Sequence, residues 1–219
     1  MKVCTDSCLF GALVADWLKN EPPGAIADLG TGTGLLSLMI AQKNESAIDA
    51  VDIEWEAFLD AKKNFEKSPW SARLQLFHSD IRSFSRKIKY DFIISNPPFY
   101  ENDLLPVNGA KAIAKHSRML SLVDLLERIS VLLTPNGRFA VLLPYSRASS
   151  VAADAFQYNF FLQEQSDVRQ SVHHDYFRSI MLFGKEKCHS LKKEISIRAD
   201  GNDYTKQFKE LLKDYYLYL

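Results

Sequence analysis

The chain has 219 residues, enough to bury a sizeable core within one domain. Its 27 basic residues balance 27 acidic ones, for a formal net charge of zero, which excludes a protein that grips nucleic acid by bulk charge but leaves room for a local basic face. Apolar residues at 47% and charged residues at 25% match an ordinary soluble globular protein. No apolar run of membrane-spanning length and no secretory signal is visible, so a cytoplasmic protein without membrane contact is expected. Cys4, Cys8 and Cys188 lack zinc-type pairing and read as reduced thiols in that compartment.

In chain order, "CLFGALVADWL" (8–18) reads as an amphipathic helix leading into the Pro22-Pro23-Gly24 turn. From residue 25 onward, short apolar runs alternate with helical patterns. The strand candidates are "AIADLG" (25–30), "AIDAVDI" (47–53), "LQLFHSD" (74–80), "YDFIISN" (90–96) and "RFAVLLP" (138–144), most of them continuous enough to be buried on both faces. Between them, "LLSLMIAQK" (35–43), "WEAFLDAKKNFEK" (55–67) and "SLVDLLERISVLL" (121–133) repeat apolar residues at helical spacing. This alternation implies a parallel sheet covered by helices on both faces. Beyond Pro144, "FFLQEQSDV" (160–168) and "YFRSIMLFGKE" (176–186) read as two further strands, and the tail as a strand, "EISIRA" (194–199), a turn and a helix (204–217). A single domain is expected, divided into an N-terminal segment (1–24), a core (25–186) and a C-terminal extension (187–219).

In such sheets ligands bind beyond the carboxyl ends of the strands, and chemistry-bearing residues gather there. "DLGTGTG" (28–34) follows the first strand and opens a helix. Gly30, Gly32 and Gly34 let the backbone turn tightly and approach a ligand without a Cβ in the way. A dinucleotide fingerprint needs G-x-G-x-x-G. Here the spacing is G-x-G-x-G and Asp28 opens it, an awkward neighbour for a diphosphate and a suitable one for the ammonium of a nucleoside carrying an amino-acid group. Asp52 ends the next strand, where an acid accepts from ribose hydroxyls. Glu54 is close behind, and as a helix N-terminal acid it has a structural use as well. Asp80 and Ile81 follow the third strand, the acid suited to an exocyclic amine and the isoleucine to a ring face, although an acid there is also a common turn or cap residue.

These residues resemble the class I S-adenosylmethionine-dependent methyltransferases. The resemblance implies a Rossmann-like α/β fold: a doubly wound, mostly parallel seven-stranded sheet with a small C-terminal strand-helix extension. It implies that Gly30, Gly32 and Gly34 border the methionine part of S-adenosylmethionine, that Asp52 holds the ribose, and that Asp80 holds the adenine. Thr5, Asp28, Thr31, Ile53, Ile81 and Asn96 complete the implied cofactor site, with residues 1–24 as its lid.

The fourth strand breaks at "SNPPFY" (95–100). Proline cannot donate to a sheet ladder and restricts the residue before it, so Asn96-Pro97-Pro98 forms a stiff turn. The exocyclic amine of a base is a poor nucleophile because its lone pair is delocalised into the ring. Two acceptors on its two N–H bonds, the Asn96 side-chain carbonyl and the Pro97 backbone carbonyl, favour a tetrahedral nitrogen with its lone pair turned outward. Phe99 offers a ring for a flipped-out base, a contact worth about 1–3 kcal/mol, and Tyr100 assists or packs. Methyl transfer from a sulfonium needs no general base beforehand, and the histidines are not spaced as a metal site. The turn alone does not choose among adenine, cytosine, guanine and glutamine-amide nitrogens.

The flanks narrow the choice. "MKVCTDSCLFGALVADW", "EWEAFLDAKKNFEKSPWSARLQLFHSDI" and "ISIRADGNDYTKQFKELLKDYYLYL" resemble the opening, middle and tail of the bacterial tRNA adenine-N6 methyltransferases that modify the adenine following the anticodon of a valine tRNA. Cys4 and Ser7 stand where glycines are usual in that family, and in relatives this opening is preceded by a further segment. The implied partner is the tRNA anticodon loop, met by a monomer without metal. Lys111, Lys115 and Arg118 share one face at helical spacing and are the candidates for phosphates. Arg147, Arg169 and Arg178, with Lys185, Lys187, Lys192 and Lys193, are expected to widen that surface. The alternatives are N-methylation of a protein glutamine amide or an rRNA guanine by the same turn, and a non-catalytic cofactor-binding RNA module.

Overall fold

The computed structural model describes residues 4–20, 22–97, 120–200 and 203–219. Its strands are Ala25–Leu29 (β1), Ala47–Asp52 (β2), Leu74–His78 (β3), Tyr90–Ser95 (β4), Leu133–Pro144 (β5), Phe161–Arg169 (β6), Tyr176–Gly184 (β7) and Leu191–Ser196 (β8). Its helices are Thr5–Trp17 (α1), Leu35–Ala41 (α2), Trp55–Lys67 (α3), Leu122–Leu132 (α4), Ala148–Gln157 (α5) and Lys206–Leu212 (α6). The strands form one sheet in the order β3-β2-β1-β4-β5-β7-β6-β8. β7 alone runs antiparallel to its neighbours, while β8 pairs parallel with β6. The seven strands expected of the core are therefore present, and the strand of the C-terminal extension joins the same sheet as its eighth.

Side-chain parity along the strands divides the core into two layers. Ile26, Ile48, Ala50, Phe92, Ile94, Ala140, Leu142, Ile180 and Leu182 point to one face, where α1, α2, Phe65 of α3 and α6 cover them. Ala27, Leu29, Val51, Ile93, Phe139, Val141, Leu143, Met181 and Phe183 point to the other, against α4 and α5. α4 opens with a reciprocal cap: Asp124 N–H donates to Ser121 Oγ at 3.0 Å and Ser121 N–H to Asp124 Oδ2 at 3.1 Å.

Two elements differ from the sequence-based expectation. α1 is not amphipathic, because every residue from Ser7 to Ala15 is buried. The face turned from the sheet is covered by the tail, where Phe208 and Leu212 are fully buried and Tyr215 and Tyr216 pack against the same cluster. α5 was not expected at all. It buries only Ala148, Val151 and Ala155, and alanines leave little hydrophobic periodicity to read. Among the described residues no helix is long and apolar enough to cross a membrane, and Cys4, Cys8 and Cys188 are free thiols.

Candidate active site

The chain crosses from β3 at one edge back over β1 to place β4 on its far side. The carboxyl ends of β1 and β4 thus flank the switch point at which open α/β sheets bind ligands. The glycine loop after β1 is shaped by its backbone: Gly30, Gly32 and Gly34 have φ of +79°, +59° and +83°, a region that residues with a Cβ rarely enter. Gly34 is further constrained, since a Cβ there would lie 2.5 Å from the Phe65 ring. The loop is tied to β2 by the amides of Gly30 and Thr31, which donate to the Val51 carbonyl at 2.9 and 3.0 Å. From α3, Asn64 Nδ2 donates to the Thr33 carbonyl at 2.8 Å.

Asp28 shares the parity of Ile26 and points into the helix layer. It is fully buried, and its Oδ2 accepts from Thr31 Oγ1 and Ser37 Oγ, both at 2.7 Å. Its Oδ1 is buried without a hydrogen-bond partner. Burial pushes the carboxyl up to about 6, against the opposing pull of the two hydroxyl donors. Asp52 lies across the loop, with Oδ2 accepting from the Gly32 amide at 2.7 Å and Oδ1 from the Glu54 amide at 2.9 Å. Burial raises its pKa too, opposed by those amides. Two desolvated carboxylates make this floor a place where a cation is stabilised. Glu54 stands at the N-cap position of α3, its side chain making no capping hydrogen bond.

Asn96 stands directly after β4. Ser95, fully buried, donates its hydroxyl to the Leu29 carbonyl at 2.7 Å, which locks the end of β4 beside the start of the glycine loop. Asn96 Nδ2 donates to Ser7 Oγ in the first turn of α1 at 3.0 Å, and Pro97 is buried. Thr5, two residues before Ser7, is exposed. Ile81 is buried and reaches over the loop, its Cδ1 3.9 Å from where a Cβ on Gly30 would sit. Ile53, directly after β2, is exposed.

Asp80 sits where expected but is engaged. Arg82 grips both its oxygens, Nε at 3.1 and 3.0 Å and Nη2 at 2.5 Å, and the Arg82 amide donates to Oδ1 at 2.8 Å. That side-chain bonding holds the Asp80 carboxyl below the usual carboxylate range. Pro98, Phe99, Tyr100, Lys111, Lys115 and Arg118 lie outside the described residues. The wider basic surface needs correcting. β7 runs antiparallel to β5, so Lys185 and Lys187 emerge at the amino edge of the core strands, away from Asn96, while Lys192 and Lys193 stand on the edge strand β8 opposite Gln165 and Ser166 of β6, with Lys193 paired to Glu164 at 2.9 Å. Arg147, Arg169 and Arg178 do lie at the carboxyl edge, but Arg169 pairs with Glu194 at 3.0 Å and Arg178 with Asp6 at 2.9 Å. Ser7 and Ser37, which no local spacing singles out, are the polar partners that sequence reasoning missed.

The arrangement, a carboxylate with an unpartnered oxygen, a glycine loop open to close approach, a second acid and a rigid amide, fits a cationic amino-acid nucleoside beside an amine substrate. The model of the methyltransferase small domain matches residues 10–121. The fold resembles the crystal structure of a predicted O-methyltransferase from Agrobacterium tumefaciens (TM-score 0.72, 16% identity, 94% of this chain and 95% of that one). It also resembles magnesium protoporphyrin IX methyltransferase from Synechocystis, solved with bound SAM (TM-score 0.60, 15% identity, 83% and 80%). At the level of sequence, the tRNA1(Val) (adenine(37)-N6)-methyltransferase of Dyadobacter fermentans is 41% identical over 99% of this chain and 91% of its own length. The protein of the same name from Photorhabdus laumondii is 33% identical over 100% and 89%. Identity at this level, sustained from the opening helix through the glycine loop to the tail, means that the chain belongs to the tRNA1(Val) (adenine(37)-N6)-methyltransferase family.

Proposed function

We propose that this protein transfers a methyl group from S-adenosylmethionine to the exocyclic N6 of an adenine in tRNA, adenine 37 of tRNA1(Val), the position named for its relatives. The observation that carries this is the convergence of Asn96 with Asp28, the glycine loop and Asp52 at one switch point, in a chain that aligns over 99% of its length with a protein of that name. The cofactor supplies an electrophilic sulfonium methyl when bound. Asp28, with its unpartnered buried Oδ1, faces the ammonium end. Gly30, Thr31, Gly32 and Gly34 border the methionine part, Asp52 takes the ribose, and Ile53 and Ile81 flank the adenine. Thr5 closes the site from α1. Asp80 is held by Arg82, so its use for the cofactor's adenine amine requires Arg82 to share or yield that carboxylate.

Asn96 Oδ1 and the Pro97 carbonyl accept from the two N–H bonds of the substrate amine and turn its lone pair toward the methyl. The proton leaves after transfer. Phe99, with Pro98 and Tyr100, holds the flipped base, and Lys111, Lys115 and Arg118 meet phosphates of the anticodon loop, in a monomer that works in the cytoplasm without a metal.

Nucleosides from tRNA of cells with and without the gene, compared by mass spectrometry, test the assignment. Loss of N6-methyladenosine from tRNA1(Val) is expected, and an unchanged tRNA nucleoside profile refutes it. Asn96→Ala is expected to lose methylation while calorimetry shows the cofactor still bound.

A further inference from the structure

A primary amide has a carbonyl end and an amino end that differ in chemistry and hardly at all in shape. Asn96 accepts from an amine only with Oδ1 toward it. Turned over, it would present two N–H donors to two N–H donors. The stiff proline turn fixes where the side chain starts and leaves the rotation of its terminal amide open.

Among the described residues, one side-chain contact bears on that rotation. Asn96 Nδ2 donates to Ser7 Oγ at 3.0 Å, and the Ser7 hydroxyl sends its own proton to Cys4 Sγ at 3.9 Å, which leaves a lone pair for the amide. Ser7 is 8% exposed, so water has little room to replace it. It is held from behind as well: its N–H donates to Asp6 Oδ1 at 3.0 Å, and Asp6 Oδ2 accepts from Arg178 Nε of β7 at 2.9 Å. We propose that Ser7 is the positioning residue of the methyl-transfer site, orienting the Asn96 amide so that its carbonyl faces the substrate amine, with Asp6 and Arg178 fixing Ser7 in turn. The proposal rests on the assignment of Asn96 as an acceptor of the substrate amine. It gives α1 a role in the reaction besides covering the sheet.

The test compares Ser7→Ala and Ser7→Thr in the full chain, with tRNA1(Val) transcript as substrate. Single-turnover rate at saturation, KM for tRNA, cofactor Kd by calorimetry and Tm are measured for each. Losing one orienting hydrogen bond is expected to lower the single-turnover rate of Ser7→Ala about tenfold. KM, Kd and Tm are expected to stay near the parent values, and Ser7→Thr, which keeps the hydroxyl, to recover most of the rate. An unchanged rate in Ser7→Ala overturns the proposal, as does a loss that appears in KM or Tm instead, or an equal loss in a Ser7→Thr protein of unchanged Tm. Asn96→Ala, assayed in parallel, separates the two levels. If it keeps the parent rate, the role of Asn96 has failed; if it is inactive while Ser7→Ala is fully active, only the role of Ser7 has.

Discussion

Asp28→Asn is expected to stabilise the ligand-free protein while weakening it as an enzyme. The Asp28 carboxyl is fully buried and pushed from its ordinary 3.8 up to about 6, because burial penalises the ionised form more than the Thr31 and Ser37 hydroxyls favour it. A shift of roughly two units at about 1.4 kcal/mol each amounts to about 3 kcal/mol. The folded protein binds this proton more tightly than the unfolded chain does. Stability therefore declines as pH rises from about 3.8 to about 6, and the whole cost is present above that window. Asparagine is nearly the same shape, can accept from both hydroxyls, and does not titrate. Urea denaturation of parent and variant at several values between about pH 4.5 and about pH 8 isolates the effect, because titrating groups not coupled to Asp28 cancel in the difference, leaving only its lesser coupling to Asp52. The advantage of the variant is expected to be small at the acid end and to grow by roughly 2–3 kcal/mol toward neutrality. A difference that stays flat across the range refutes the reasoning. Calorimetry with S-adenosylmethionine should show the opposite sign, an affinity loss of about tenfold or more as the charge proposed to face the ammonium disappears.

Two further substitutions probe the frame of the site. Gly34→Ala combines a left-handed backbone at φ +83° with a Cβ 2.5 Å from the Phe65 ring, and is expected to cost about 2–4 kcal/mol. The drop in Tm should shrink in the double variant with Phe65→Leu, which relieves the contact and leaves the backbone strain. Phe208→Ala empties a fully buried site between α6 and α1 at a cost of about 3–5 kcal/mol, with amide hydrogen exchange accelerated in α1 as the second readout.

The parts of the fold most legible in the sequence are those with a local cause. The strands of the parallel half are continuous apolar runs, the glycine loop announces left-handed turns, and the double proline announces a strand's end. α5 escaped notice because Ala148 and Ala155, two of its three buried residues, are too small to mark a face. The amphipathic reading of α1 failed because the element that covers its outer side lies at the far end of the chain. At the site, Asp28, Gly34 and Asp52 were readable from their places at strand ends. Their partners were not: Ser37 bonds Asp28, Ser7 bonds Asn96 across 89 residues, and Arg82 occupies Asp80. Only the Ser7 bond is long-range; Ser37 and Arg82 lie nine and two residues from their partners, but all three are residue types common on any surface, and the sequence alone does not say which of them will bond.

The segments that carry the family resemblance acquire a shared physical meaning once they are placed in space. In the middle segment, Asn64 donates to the Thr33 carbonyl and Phe65 packs at Gly34, so α3 shapes the glycine loop from outside it. In the opening and tail, Tyr216 packs against the cluster that contains Cys8, Tyr215 donates to the Met39 carbonyl at 3.2 Å, and Phe208 closes the layer over α1. The tail thus packs on α1, the helix whose first turn holds Ser7 against Asn96. Hydrogen bonds orient a catalytic amide only if the groups making them are themselves immobile. By burying the outer side of α1, the C-terminal segment helps to hold in place the helix whose first turn hydrogen-bonds Asn96, the support that the proposed role of Asn96 requires.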